Sequence, residues 1–377
     1  MSVFLAKQPD YSVETLEKTL DAAFSAFDFY AKLHPGMTVV VKPNLIMPTS
    51  PDKAAITHPN VVAAAALCLK KHGAEVMVAE SGGGPYNPSM MRTVFRTCGY
   101  TAAAEQYGFS LYTDCKYREV SLPDGVRCST LSVIEPLIRP GDALIVDIAK
   151  LKTHGMMDYS GAVKNLFGAV PGLMKPELHC RYPEKTGFSE MIVDLCDYLK
   201  PDFSIIDGVE GMQGNGPTGG EPRFVGAIIA SDSPYDADLA GAQIIRFDPM
   251  DVPILANAHA RGLCAASTKD IEVLGEPVES FVVADYKHAK SSDVDFLARV
   301  PKFMRPALRK IATPYPKIQK KNCIGCGKCA ESCPQHTIAI RDRKAVIEYS
   351  KCIRCFCCHE MCPKHVIDIR RFAAFNL

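Results

Sequence analysis

The sequence has almost no net charge: 43 Lys and Arg face 42 Asp and Glu, a formal balance of +1. A chain that coats nucleic acid reads as basic, so no nucleic-acid partner is expected. Long hydrophobic runs are missing as well. The longest, Val61–Leu69, falls far short of the ~20 residues that a bilayer span requires, so no membrane span is expected. The opening MSVFLAKQPDYS has no apolar stretch of signal-peptide type, which points to a cytoplasmic protein. Nucleotide fingerprints are absent too. There is no GxxxxGKS/T, and Gly82-Gly83-Gly84 is not GxGxxG. Neither an HExxH pattern nor a Ser–His–Asp order commends itself.

What is present is cysteine. The 377 residues, 47% of them hydrophobic, suffice for two or three domains with a sizeable core. Nine of the 16 cysteines lie between Cys323 and Cys362. In a chain of this size without an export signal, that concentration suits metal or redox chemistry better than disulfides. Two runs stand out, Cys323-x2-Cys326-x2-Cys329-x3-Cys333-Pro334 and Cys352-x2-Cys355-x2-Cys358-x3-Cys362-Pro363. Both have the bacterial iron–sulfur spacing, in which the fourth cysteine of each run ligates the other cluster. The expected ligand sets are Cys323, Cys326, Cys329 and Cys362 for one [4Fe–4S] cluster, and Cys352, Cys355, Cys358 and Cys333 for the other. Zinc, which takes four ligands often as two short cysteine pairs, fits two tandem four-cysteine runs poorly.

The two runs are copies 29 residues apart, and His336 and His365 match at the same offset. Each half reads as a cysteine loop, a short turn and a strand, related by a pseudo-twofold. Cys357 falls opposite Lys328, a non-ligand position, and is read as a neighbour of the cluster. The scattered Cys68, Cys98, Cys115, Cys128, Cys180, Cys196 and Cys264 are read as packing residues. Of these, Cys180, between His179 and Arg181 in a Pro-flanked loop, is the one to test for reactivity.

Residues 1–285 alternate strand-like and helix-like stretches, which predicts an α/β domain with a mainly parallel sheet. The strand candidates are Met37–Val41, Ala74–Ala79, Asp142–Ala149, Phe203–Asp207 and Val225–Ala230. Asn60–His72, Ser189–Leu199 and Ala237–Arg246 read as helices. Residues 286–320 read as a linker and 321–377 as a small α+β ferredoxin-type domain. Between Arg299 and Lys321 there are eight basic residues, four prolines and no acid. That stretch reads as a solvated tether or as a docking patch for an acidic electron carrier.

Polar residues gather just after the predicted strands. Ligands of open α/β sheets bind outside the carboxyl ends of the strands, so these loops are expected to converge. Lys42 and Asn44, His58, Lys150 and Asn165 are the candidate ligand-binding residues. Glu80, Lys152, His154, Lys164 and Asp207 are the candidate catalytic residues. The lysines suit a small anionic ligand. Glu80, Asp207 and Glu210 can pair with them, bind a metal ion or move protons. His58 and His154 are expected to titrate nearest pH 7.

The order KPN (42–44), THP (57–59), Glu80-Ser81-Gly82, KLKTH (150–154), GAVKN (161–165) and GNGP (214–217), followed by the cysteine module, resembles the DUF362 family of unknown function. The resemblance covers about residues 37 to 260 plus the tail. It implies a fold unit and a redox association, not a reaction. Three functions are open: an oxidoreductase relaying electrons through two [4Fe–4S] clusters to an anionic substrate or further cofactor in the crevice, an electron-transfer subunit docking a partner enzyme, or a non-redox enzyme with structural or sensing clusters. An electron-donor or acceptor protein is the expected partner in the first two.

Overall fold

The structure, a computed structural model, describes residues 1–289 and 315–370. Residues 299–314 of the basic segment lie outside the described residues. The large domain is a nine-stranded sheet with helices on both faces. In chain order its strands, and those of a side hairpin, are β1 (Ser2–Lys7), β2 (Thr38–Pro43), β3 (Glu75–Val78), β4 (Ser110–Leu111), β5 (Tyr117–Ser121), β6 (Thr130–Ile134), β7 (Leu144–His154), β8 (Asp158–Ser160), β9 (Phe203–Gln213), β10 (Glu221–Ser231) and β11 (Glu272–Gly275). The sheet order is β11-β1-β10-β9-β7-β2-β3-β4, with β8 beside β7 and the β5–β6 hairpin apart.

β4, β3, β2, β7 and β9 run parallel to one another. Their apolar residues alternate between two cores. Val39, Val41, Val146 and Ile205 face the first four helices, whereas Val40, Ile145, Ala149 and Ile206 face the later ones. Burial on both faces explains why these strands read as near-continuous apolar runs. The helix Pro59–Lys71 is positioned by local signals. Pro59 sits in its first turn, and the His58 ring accepts a hydrogen bond from Asn60 N–H at its start.

From β2 the chain moves outward to β3 and β4, then returns to β7 on the other side of β2 and moves away through β9 and β10. The β2–β7 junction is therefore the topological switch point, where such sheets open a crevice beyond the carboxyl ends of the strands. The polar motifs at that edge are placed differently from expectation. Lys150-Leu-Lys152-Thr-His154 lies within β7, not after it, and Asp207–Gly211 lies within β9. The charges are tolerated inside strands because neighbouring strands supply partners, as the Lys150–Asp207 pair shows.

The cysteine module has four strands, β12 (Tyr315–Ile318), β13 (Ile338–Arg341), β14 (Lys344–Ile347) and β15 (Ile367–Arg370), and single-turn helices at Lys328–Glu331 and Cys357–Glu360. Every element of the first half recurs 29 residues later: 315 becomes 344, 328 becomes 357 and 338 becomes 367. His336 and His365 share a left-handed backbone, with φ of 48° and 49°. Pairing is exchanged between the halves, β12 with β15 and β13 with β14. The first strand of the module thus falls in the stretch read as linker.

Candidate functional site

The crevice at the switch point holds an opening of about 680 Å³. Asn44, Glu80, Lys152, Lys164 and Asn165 line it. Lys42 stands behind Glu80, with Nζ donating to Glu80 Oε2 at 2.6 Å, both side chains buried. A side chain at position 168 would collide with this carboxylate: a Cβ on Gly168 would lie 2.1 Å from Glu80 Oε1. Lys152 Nζ donates to Asn44 Oδ1 at 2.7 Å and to Ala55 O at 3.0 Å. Asn44 Nδ2 donates in turn to Asn165 Oδ1 at 2.9 Å. Asn165 Nδ2 donates to Asp147 Oδ1 at 2.8 Å. Lys164 Nζ sits 5.9 Å from the Phe167 ring centre.

Two residues of this wall escaped the sequence reading. Lys175 Nζ donates to Val170 O at 2.6 Å and to Ser81 O at 2.5 Å. Buried His179 stacks on Phe188, and its Nδ1 has no partner among the described residues. Both come from the helix Met174–Arg181, where no strand exit announced them. The same helix carries Cys180, so that residue is not in a loop. Burial raises its thiol pKa, and Gln335 Nε2 donates to its sulfur at 3.2 Å.

The remaining wall comes from the cysteine module: Cys357, Glu360 and Met361. Glu360 Oε1 lies 3.5 Å from His154 Nε2. His154 Nδ1 accepts from the N–H groups of Met156 and Met157, so the ring proton is on Nε2, facing Glu360. Thr218 Oγ1 donates to Glu360 O at 3.0 Å, and His359 Nε2 lies 3.2 Å from Asn215 O. The module therefore forms part of the crevice wall.

Three of the predicted residues form a separate group. Lys150 Nζ donates to Asp207 Oδ2 at 3.0 Å and to Tyr11 OH at 2.8 Å. Tyr11 OH donates to Asp207 Oδ1 at 3.0 Å, and His58 N–H donates to Oδ2 at 2.9 Å. The His58 ring stacks on Tyr11 at 3.8 Å. None of Lys150, Asp207 and His58 lines the crevice opening.

Burial redistributes the titrating groups. Desolvation drops His58 to about 4 and takes His154 well below its usual value, so neither titrates near pH 7. Lys152 and Lys175 are brought down to about 7 instead. Asp147, buried with one oxygen unpartnered among the described residues, is pushed up to about 8. Burial lowers Lys164 while Glu360 holds it up, and Glu360 is itself raised by burial.

In the module, Cys323, Cys326, Cys329 and Cys362 bound one void of about 360 Å³, and Cys333, Cys352, Cys355 and Cys358 bound another of about 330 Å³. Backbone N–H groups point at the sulfurs: Ala345 at Cys323, Thr337 at Cys333 and Val366 at Cys362, at 3.3–3.5 Å. Such bonds stabilise thiolates holding a cluster. Among the described residues, no three His, Cys, Asp or Glu side chains converge on a single metal ion. Four sulfurs set around each void suit a cube. Cys357 lies between Cys355 and Cys358 in the second run, buried, and lines the crevice.

Comparison with known proteins agrees with this division. Residues 39–243 match the model described as domain of unknown function (DUF362), and residues 315–363 match a 4Fe-4S dicluster domain. A thylakoid-associated protein of Synechocystis sp. is 32% identical over 260 residues, 67% of this chain and 76% of that protein. No helix among the described residues is long and apolar enough to cross a membrane. The dicluster domain carries two [4Fe–4S] clusters and gives the chain an iron–sulfur electron-transfer role. The chain belongs to the DUF362 family and joins that domain, in N-to-C order, to a 4Fe-4S dicluster module.

Proposed function

We propose that this chain is an iron–sulfur oxidoreductase whose crevice holds an anionic organic molecule in electronic contact with the dicluster module. The observation that carries this reading is the position of Cys357. It shares a cavity wall with Lys152, Lys164 and Lys175, and it is the chain neighbour of Cys358, a predicted cluster ligand. The clusters, when bound, supply one-electron transfer.

The side chains account for the rest. Lys42, Lys152, Lys164 and Lys175 are four lysines set against the carboxylates Glu80 and Glu360, and Lys42 is already paired with Glu80. An oxyanion entering the crevice restores the balance and is oriented by the lysine N–H groups. With Nζ values near 7, Lys152 and Lys175 can hold or release a proton at physiological pH. The crevice is lined largely by protein atoms of two domains, which lowers the local dielectric and strengthens these interactions.

In the first run of the module, Cys326 is exposed and Ile324 is 52% exposed beside it. An electron-carrier protein meeting the chain there would contact the cluster set of the first run, while the second run faces the crevice.

The test is anaerobic purification of the full-length holoprotein, with mass spectrometry of any small molecule released on denaturation. The expected result is an anionic organic molecule that reoxidises the dithionite-reduced clusters of the intact protein. Lys152→Ala and Lys164→Ala should abolish that reoxidation with cluster absorbance intact. Unchanged reoxidation in both variants discards the crevice as the site.

A further inference from the structure

A second cavity adjoins the crevice. It has about 810 Å³ of empty space and lies between the same two domains. Its walls are apolar, with Met47, Met90, Met91, Val94 and Leu173 from the large domain and Met361 from the module. Lys328 and Glu331, which pair with each other at 2.8 Å, stand at its module side. Three residues belong to both cavities: Ile46, Gly83 and Met361.

The partition they form is thin. Gly83 N–H donates to Ile46 O at 2.8 Å, which fixes the two backbones together. The Met361 thioether lies against Gly83, where a Cβ would be 2.7 Å from its sulfur. Methionine is unbranched and adapts readily to a changing surface, so the movable element of the partition is the Met361 side chain. Across it, cationic polar surface turns directly into apolar surface. Pockets built this way, a few charged anchors joined to an apolar chamber, recognise molecules with the same division.

Resting on the crevice as the binding site, we propose that the ligand is an amphiphilic anion. Its oxyanion head, a carboxylate, phosphate or sulfonate, is held by Lys152, Lys164 and Lys175, and its apolar body passes Met361 to fill the methionine-lined chamber. A small inorganic anion satisfies the lysines but leaves the chamber hydrated. Neutral apolar molecules fill the chamber but leave the lysines without a counter-charge. The head lies on the Cys357 side and the body on the side of the helix Lys328–Glu331.

The chemistry of the head and that of the body are separable by experiment. Full-length holoprotein is titrated calorimetrically with methanesulfonate, butanesulfonate and octanesulfonate, whose charge does not vary with pH, and with n-octanol. The expected result is affinity that rises with chain length, by up to about fourfold for each methylene fully buried. Leu173→Glu, at a position 42% exposed, should bring octanesulfonate down towards the affinity of methanesulfonate. Met90→Gln is a milder second variant with the same expected direction. Lys164→Ala should weaken every sulfonate. Equal affinity along the series overturns the amphiphile while leaving the anion-binding crevice standing. Octanol binding as well as octanesulfonate, with no effect of Lys164→Ala, overturns both readings.

Discussion

Glu360 Oε1 faces His154 Nε2 at 3.5 Å, and through this contact a residue two positions after a predicted cluster ligand meets strand β7 of the α/β domain. Glu360 also supports the protonated forms of Lys152 and Lys164 electrostatically. Glu360→Gln removes the charge and keeps the size. It should lower the pKa of both lysines further, because burial then acts with less opposition. Chemical labelling of the lysines as a function of pH, read by mass spectrometry, checks this. An unchanged profile would separate Glu360 from the pocket.

Anion binding should take up protons above neutral pH. Lys152 and Lys175 have pKa values of about 7, so they are largely neutral at pH 8. A bound oxyanion favours their charged forms and raises both pKa values. Affinity for octanesulfonate should therefore fall as pH rises beyond 7, by up to about tenfold per unit for each proton taken up. Calorimetry in buffers of different ionisation enthalpy counts the protons. A pH-independent affinity between 7 and 9 would remove these lysines from the site.

Ligand exchange between the cysteine runs predicts a distinctive pattern of iron loss. Cys333→Ala should impair the cluster whose other ligands lie in the second run, and Cys362→Ala the one whose other ligands lie in the first. Cys357→Ala should keep the full iron content. Iron and sulfide analysis with electron paramagnetic resonance of the reduced proteins distinguishes the three. Loss of iron in Cys357→Ala would make that residue a ligand.

The buried Lys150–Asp207 pair should matter for stability. Its side chains are 1% and 0% exposed, and Tyr11 and the His58 N–H complete its hydrogen bonds. Lys150→Met strands a buried carboxylate and should cost about 3–5 kcal/mol. Lys150→Met combined with Asp207→Leu should recover much of that loss, since no charge is then left unpaired. Urea unfolding of the natural protein and the two variants measures it.

Much of this was legible in the sequence for identifiable reasons. The central strands declared themselves because burial on both faces demands apolar β-branched runs, as in Val39–Val41. The exit rule for parallel sheets drew in Asn44, Glu80, Lys152 and Lys164, which line one opening. It also swept in Lys150, Asp207 and His58, because a charge at a strand end gives no sign of which neighbour has already neutralised it. Strand β1 went unread because it carries partly exposed residues beside an edge strand. Glu360, Cys357 and Met361 were beyond reach. Nothing local to Lys164 marks its approach to a carboxylate almost two hundred residues away. The histidine expectation failed for a similar reason, since burial, which sets both pKa shifts, leaves no trace in residue type.

The exchanged strand pairing of the module has a consequence for how the molecule is made. Ribosomes deliver Cys323, Cys326 and Cys329 first, yet their fourth thiolate, Cys362, arrives after every other ligand, so the earliest set begun is the last to close. Half a module is of no use: its strands lack their mates, and neither cube has a full complement of sulfur. Because Cys357, Glu360 and Met361 belong to that same late turn, the wall of the crevice is finished only when the metal centre is. Iron starvation would thus leave a chain with an unfinished pocket, which couples readiness for its ligand to cofactor supply.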